Sequence, residues 1–102
     1  MQVQEILQQL DTLLKNSHLQ EADAFLKEQI AAAEQAEDWE TALTLYNEQI
    51  GFFRDCGRFS ESLAVGEKAL ECVEKLHLKQ TIAHATTLLN VAKVASRIVC
   101  RY

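Results

Sequence analysis

The thiols, imidazoles and cationic side chains of this sequence are its candidates for chemistry. Cys56, Cys72 and Cys100 form an odd set at wide spacing, which fits neither a disulfide framework nor the short paired spacings of a zinc site. They read as reduced and mostly packed, because free cysteine behaves as a small apolar residue. His77 and His84 stand seven apart across an expected helix boundary, and together with Cys72 they match no recognised metal spacing. His18, at a helix start, is expected in solvent. No cysteine or serine has a base and an orienting group beside it in a local signature. Gly51, Gly57 and Gly66 are too dispersed to cradle a phosphate. The residues therefore point to no enzyme, no cofactor and no metal.

Charge is more informative. The net charge is −5, yet residues 1–74 carry 15 acidic and 5 basic side chains while residues 75–102 carry 5 basic and none acidic. The acidic body argues against non-specific nucleic-acid binding, since phosphate repulsion has to be overcome first. Lys93, Arg97 and Arg101 recur every four residues, so on a helix they form a basic strip with Asn90 on the same side. Such a strip suits a carboxylate on a protein or peptide partner, met through charge-assisted hydrogen bonds.

The elements that position these groups are helices. The chain has no proline and three glycines, and it lacks the period-two alternation of strands. Helices are expected over 3–15, 19–36, from about 38 to a stop at Gly57, over 59–76, and from about 79 to the end. Asn16 and Ser17 break the first, and Asp38 is the N-cap candidate of the third, with Thr41 at its N3 position. Gly57 supplies the left-handed residue that commonly ends a helix. A length of 102 residues suits one domain. No apolar run approaches the roughly 20 residues of a membrane span, and the polar start lacks a signal-peptide core, so a soluble cytoplasmic protein is expected.

The order within these helices repeats. Leu19, Trp39 and Phe59 lie twenty apart, and each is followed three residues later by a small residue, Ala22, Ala42 or Ser62. A large side chain is then expected to fill the gap left by the small one, with Trp39 packed in the core.

From Trp39 to about Ala95 the chain resembles the tetratricopeptide repeats, in the longer form of about 42 residues found in kinesin light chains and many bacterial proteins. The stretch ALTLYNEQIGFFRDCGRFSESLAVGEKALE carries the likeness, followed by HATTLLNVAKVA. Tyr46, Ile50 and Phe53 fall on the first helix of the repeat, Gly57 and Phe59 on its turn, and Ser62, Gly66 and Ala69 on its second helix. A shift of 42 brings Leu88, Ala92 and Ala95 onto the first-helix positions. Residues 13–33 echo the pattern at an offset of forty. The third repeat lacks its second helix, which leaves two and a half repeats. The resemblance implies an all-α fold of antiparallel helix-turn-helix units. It also implies a groove lined by Thr44, Asn47, Gly51, Arg54 and Asp55 from one repeat and by Thr86, Leu89, Lys93, Ser96 and Arg97 from the next. A protein or peptide partner would lie there; the lysine–asparagine pattern of chaperone-tail recognition is incomplete.

The last helix is apolar on more than one side, and terminal helices of repeat arrays need a polar outer face. Leu88, Val91, Val94, Ile98 and Val99 are the candidates for a surface covered by a second copy or by further repeats. The expectation is thus a protein-interaction module with a groove, homo-oligomeric through its last helix. The alternative is a self-associating structural domain with no separate ligand.

Overall fold

The computed structural model describes residues 2–78 and 81–101, with side-chain environments as far as Ile98. Five helices form, α1 (Val3–Lys15), α2 (Leu19–Gln35), α3 (Trp39–Asp55), α4 (Phe59–Lys75) and α5 (Ile82–Arg101), and no strand occurs among the described residues. The fold is all-α, built of helix-turn-helix repeats.

The turns show why the period is twenty. Ser17, Glu37, Gly57 and His77 all have positive φ, between 56° and 76°. Around each, the next residue's N–H reaches back to the carbonyl five residues earlier. His18 bonds Leu13, Asp38 bonds Ala33, Arg58 bonds Phe53 and Leu78 bonds Val73, at 2.8–2.9 Å. The left-handed residue itself donates three residues back, Gly57 to Arg54 for example. This is the Schellman ending, which satisfies the last carbonyls of a helix. Ser17 thus ends α1, and His18 at the start of α2 makes no side-chain cap bond.

Burial follows the same period. Ala22, Ala42 and Ser62 are fully buried, and Ile6, Leu26 and Tyr46, then Leu10, Ile30 and Ile50, are buried at the next two helical positions. The large residues at the helix starts behave differently from expectation. Leu19 is 48% exposed, while Trp39 and Phe59 are half-buried. The first turn of each helix lies at the edge of the packing, so the small residue one turn further in makes the close approach.

Contacts cluster into two units, Met1–Leu45 and Tyr46–Tyr102, with the boundary inside α3. In the first unit α1 packs on α2, and α3 begins at Asp38, whose carboxylate accepts from Thr41 N–H at 3.3 Å and from Thr41 Oγ1 at 2.7 Å. In the second unit α4 packs on α5. Ser62 Oγ also ties α4 to α3 by donating to the Ile50 carbonyl at 2.8 Å. Arg58, in the turn, stacks 4.3 Å over the Phe53 ring and pairs side-on with Glu61, which fixes the entry of α4.

Candidate interaction groove

α5 repeats α3 from its cap onward. Thr81 Oγ1 accepts from His84 N–H at 3.3 Å, as Asp38 does from Thr41, so the helix starts are 43 residues apart. That is one more than the shift of 42 read from the sequence, and the expected start near Lys79 falls outside the described residues. At this offset Ala42–Asn47 aligns with Ala85–Asn90, with Thr44 over Thr87 and Arg54 over Arg97. Both threonines donate to the carbonyl four residues back, Thr44 to Glu40 at 3.2 Å and Thr87 to Ala83 at 2.9 Å.

Within the second unit α3 and α5 are joined by a polar ladder. Asn90 Nδ2 donates to Asn47 Oδ1 at 3.0 Å, and Asn47 Nδ2 donates to Thr87 Oγ1 at 3.1 Å. Thr87 is fully buried and the two asparagines are half-buried. One amide thus bridges two groups of the neighbouring helix and sets their register. Thr87 and Asn90 were not among the groove residues implied by the resemblance; the matching ALTLYN and ATTLLN strings at offset 43 are the signal that marks them.

Two stripes flank the ladder. Asn47, Gly51 and Arg54 share one face of α3, because residues four and seven apart return to the same side. Asn90 and Arg97 do so on α5, with Thr86 and Lys93 beside them. The Arg54 side chain is only 17% exposed. Its Nε meets Asp55 Oδ1 at 3.3 Å, while its Nη1 is buried without a hydrogen-bond partner. A guanidinium in that state is costly unless something accepts from it. Asp55 is 68% exposed, and Thr86, Leu89, Lys93, Ser96 and Arg97 are exposed as well. Gly51 lies beside Arg54, where a Cβ would come within ordinary contact of Nη2 at 3.6 Å.

The proposed oligomer residues separate. Leu88 faces outward at 46% exposure. Val94 is fully buried and so belongs to the interior, while Val91 is half-buried against Gly66 of α4. Ile98 is half-buried, and the Val99 side chain lies outside the described residues, as does that of Arg101, the end of the basic strip.

Elsewhere the chemistry is sparse. A cleft of about 200 Å³ in the first unit is lined by Ile6, Gln29, Ala32, Ala33, Ala36, Asp38 and Thr41. Among the described residues no three His, Cys, Asp or Glu side chains gather closely enough to hold a metal ion. Cys56 is exposed and Cys72 buried, so the expectation of packed thiols fails at the α3–α4 turn. No helix among the described residues is long and apolar enough to cross a membrane. No protein-family model, curated protein or solved structure matches the chain.

Proposed function

We propose that this chain is a protein-interaction module, a helical repeat of tetratricopeptide kind whose α3–α5 groove holds a partner segment bearing a carboxylate. The observation that carries the reading is Arg54. Its guanidinium is drawn into the groove with one nitrogen buried and unsatisfied, next to a rigid asparagine ladder and opposite a helix whose groove side carries Lys93 and Arg97. A carboxylate in the groove would be held by charge-assisted hydrogen bonds from the cations that line it, Arg54, Lys93 and Arg97. The module works by binding and not by catalysis, in the reducing cytoplasm, where Cys56 and Cys72 stay out of disulfides.

The test is fluorescence anisotropy with an unstructured glutamate-rich peptide against the full chain. Binding should weaken by about ten-fold or more in Arg54→Ala, the scale of a lost charge-assisted bond. Equal binding by the parent and Arg54→Ala would sink the assignment.

A rival reading, in which the chain's only partner is itself, draws on the exposed Leu88 and Leu89. The peptide titration separates the two, since a domain whose only partner is itself leaves the glutamate-rich peptide unbound.

A further inference from the structure

Arg58 shows how a carboxylate takes hold of an arginine in this chain. Its Nε and Nη2 donate to Glu61 Oε1 and Oε2 at 2.8 and 2.6 Å, so both donors of the side-on edge meet both oxygens of one carboxylate. Arg54, four residues earlier and in the groove, is held differently. Its Nε donates to Asp55 Oδ1 at 3.3 Å, longer than the usual range for such a bond.

The burial of Arg54 decides which edge a partner can use. A guanidinium offers two parallel donors at its tip, from Nη1 and Nη2, and two at its side, from Nε and Nη2. Nη1 is buried, so the tip is closed to an incoming carboxylate. The side-on edge is left, with Nη2 beside Gly51 and with Asp55 on Nε. Asp55 therefore sits where the carboxylate of a partner has to go.

Its hold there is loose. The Asp55 side chain is 68% exposed against 17% for Arg54, and an ion pair open to water contributes little. Asp55 is also the last residue of α3, where the unpaired carbonyls of a helix end disfavour a carboxylate. Rotation of this exposed side chain frees Nε and carries the charge into solvent without moving the backbone.

We infer that Asp55 is an internal stand-in for the partner's carboxylate. It occupies the side-on edge of Arg54 in the free chain and swings off when the partner segment binds there, so the groove binds more weakly than its cations alone would allow. The inference rests on the groove reading given above and adds a competitor that the reading does not contain.

The experiment is an anisotropy titration with the unstructured glutamate-rich peptide, on the full chain and on Arg54→Ala, Asp55→Ala and Asp55→Asn. Both Asp55 changes are repeated in an Arg54→Lys background, with circular dichroism to confirm folding. Arg54→Lys keeps the positive charge and lacks the side-on edge, so it separates competition at that edge from the removal of a nearby negative charge. The expected result is about three- to five-fold tighter binding in Asp55→Ala, the scale of one exposed ion pair released. Asp55→Asn should gain less, because its amide oxygen still accepts from Nε. In the Arg54→Lys background the gain should fall below about two-fold. Unchanged or weaker binding in Asp55→Ala, with the parent binding and Arg54→Ala impaired, overturns this inference and leaves the groove reading standing. An equal gain in both backgrounds overturns it as well, by showing general relief of charge. A peptide bound by neither the parent nor Asp55→Ala overturns both together, whereas binding by Asp55→Ala alone supports both.

Discussion

Gly66 of α4 lies directly against Val91 of α5, so closely that a Cβ on Gly66 would meet Val91 Cγ2 at 2.9 Å. Glycine within a helix costs about 1 kcal/mol relative to alanine, so its presence mid-α4 has to be balanced by this approach. Gly66→Ala should therefore lower stability, by roughly 1–2 kcal/mol once the clash outweighs the gain in propensity. Val91→Ala in the same chain should return most of that loss, with a coupling of about 1 kcal/mol or more in a double-mutant cycle. Urea melts of the four proteins measure it. Independent, additive effects would mean that the two helices do not meet at this pair.

The four left-handed turn residues make a second prediction. Gly57 holds φ 76° at no steric cost, but Glu37 holds φ 56° with a side chain attached. A non-glycine residue in this region costs roughly 1–2 kcal/mol, partly offset by the greater freedom of glycine in the unfolded chain. Glu37→Gly should stabilise the chain by about 0.5–1 kcal/mol, while Gly57→Ala destabilises it by about 1–2 kcal/mol. Thermal melts of both variants give the signs directly. A loss on Glu37→Gly would show that the Glu37 side chain contributes more than its backbone strain.

This asymmetry also explains what the sequence could and could not disclose. Gly57 announced its turn by residue type, whereas Ser17, Glu37 and His77 adopt the same conformation with no such mark, because the hydrogen bonds of the turn and the packing beyond it outweigh a local preference. Helix spans were readable to within a few residues from apolar spacing alone. Which residue of each repeat would be buried was not. Trp39 looked like core and is only half-buried, while Phe53 is 3% exposed. Val94 looked like interface and is fully buried. On a helix apolar all round, periodicity cannot choose the inward side. The choice was made by Gly66, which lets α4 approach at Val91, and by the Asn47–Asn90 bond, which sets the rotation of α5.

Burial ranks two aromatic truncations. Phe53→Ala removes a ring that packs in the second unit under Arg58 and should cost about 3–5 kcal/mol. Trp39→Ala should cost less than that, because a partly exposed ring gives up a smaller share of its surface. Chemical denaturation of the two variants tests the order, and a larger loss at Trp39 would contradict the observed packing.

Thiol chemistry should follow the same map. Cys56 is exposed, whereas burial pushes the pKa of the Cys72 thiol up, with Lys75 pulling against it. The raised value keeps Cys72 protonated at neutral pH, and the thiolate is the reactive form. In a Cys100→Ser background, iodoacetamide at neutral pH should label one cysteine in the folded chain, Cys56, and both in denaturant. Mass spectrometry reads the sites. Native labelling of Cys72 at a rate close to that of Cys56 would mean that α4 opens readily.

The polar ladder should be structural as well as recognitive. Thr87 Oγ1 both donates to Ala83 and accepts from Asn47 while fully buried. Thr87→Val keeps the shape and removes both bonds, leaving the Asn47 amide without that acceptor. The expected loss is about 1–2 kcal/mol, because a part-buried donor deprived of its partner costs more than a bond in water contributes. Asn47→Ala alone should cost a similar amount, about 1 kcal/mol. The double variant should cost little more than either single one, with a coupling of about 0.5–1.5 kcal/mol. If Asn47 served only a partner, its removal would leave stability unchanged and weaken peptide binding alone. If it held α3 to α5, stability falls first, and the groove loses affinity because Arg54 and Arg97 no longer keep their register. Measuring melts and anisotropy on the same set of variants separates those two roles.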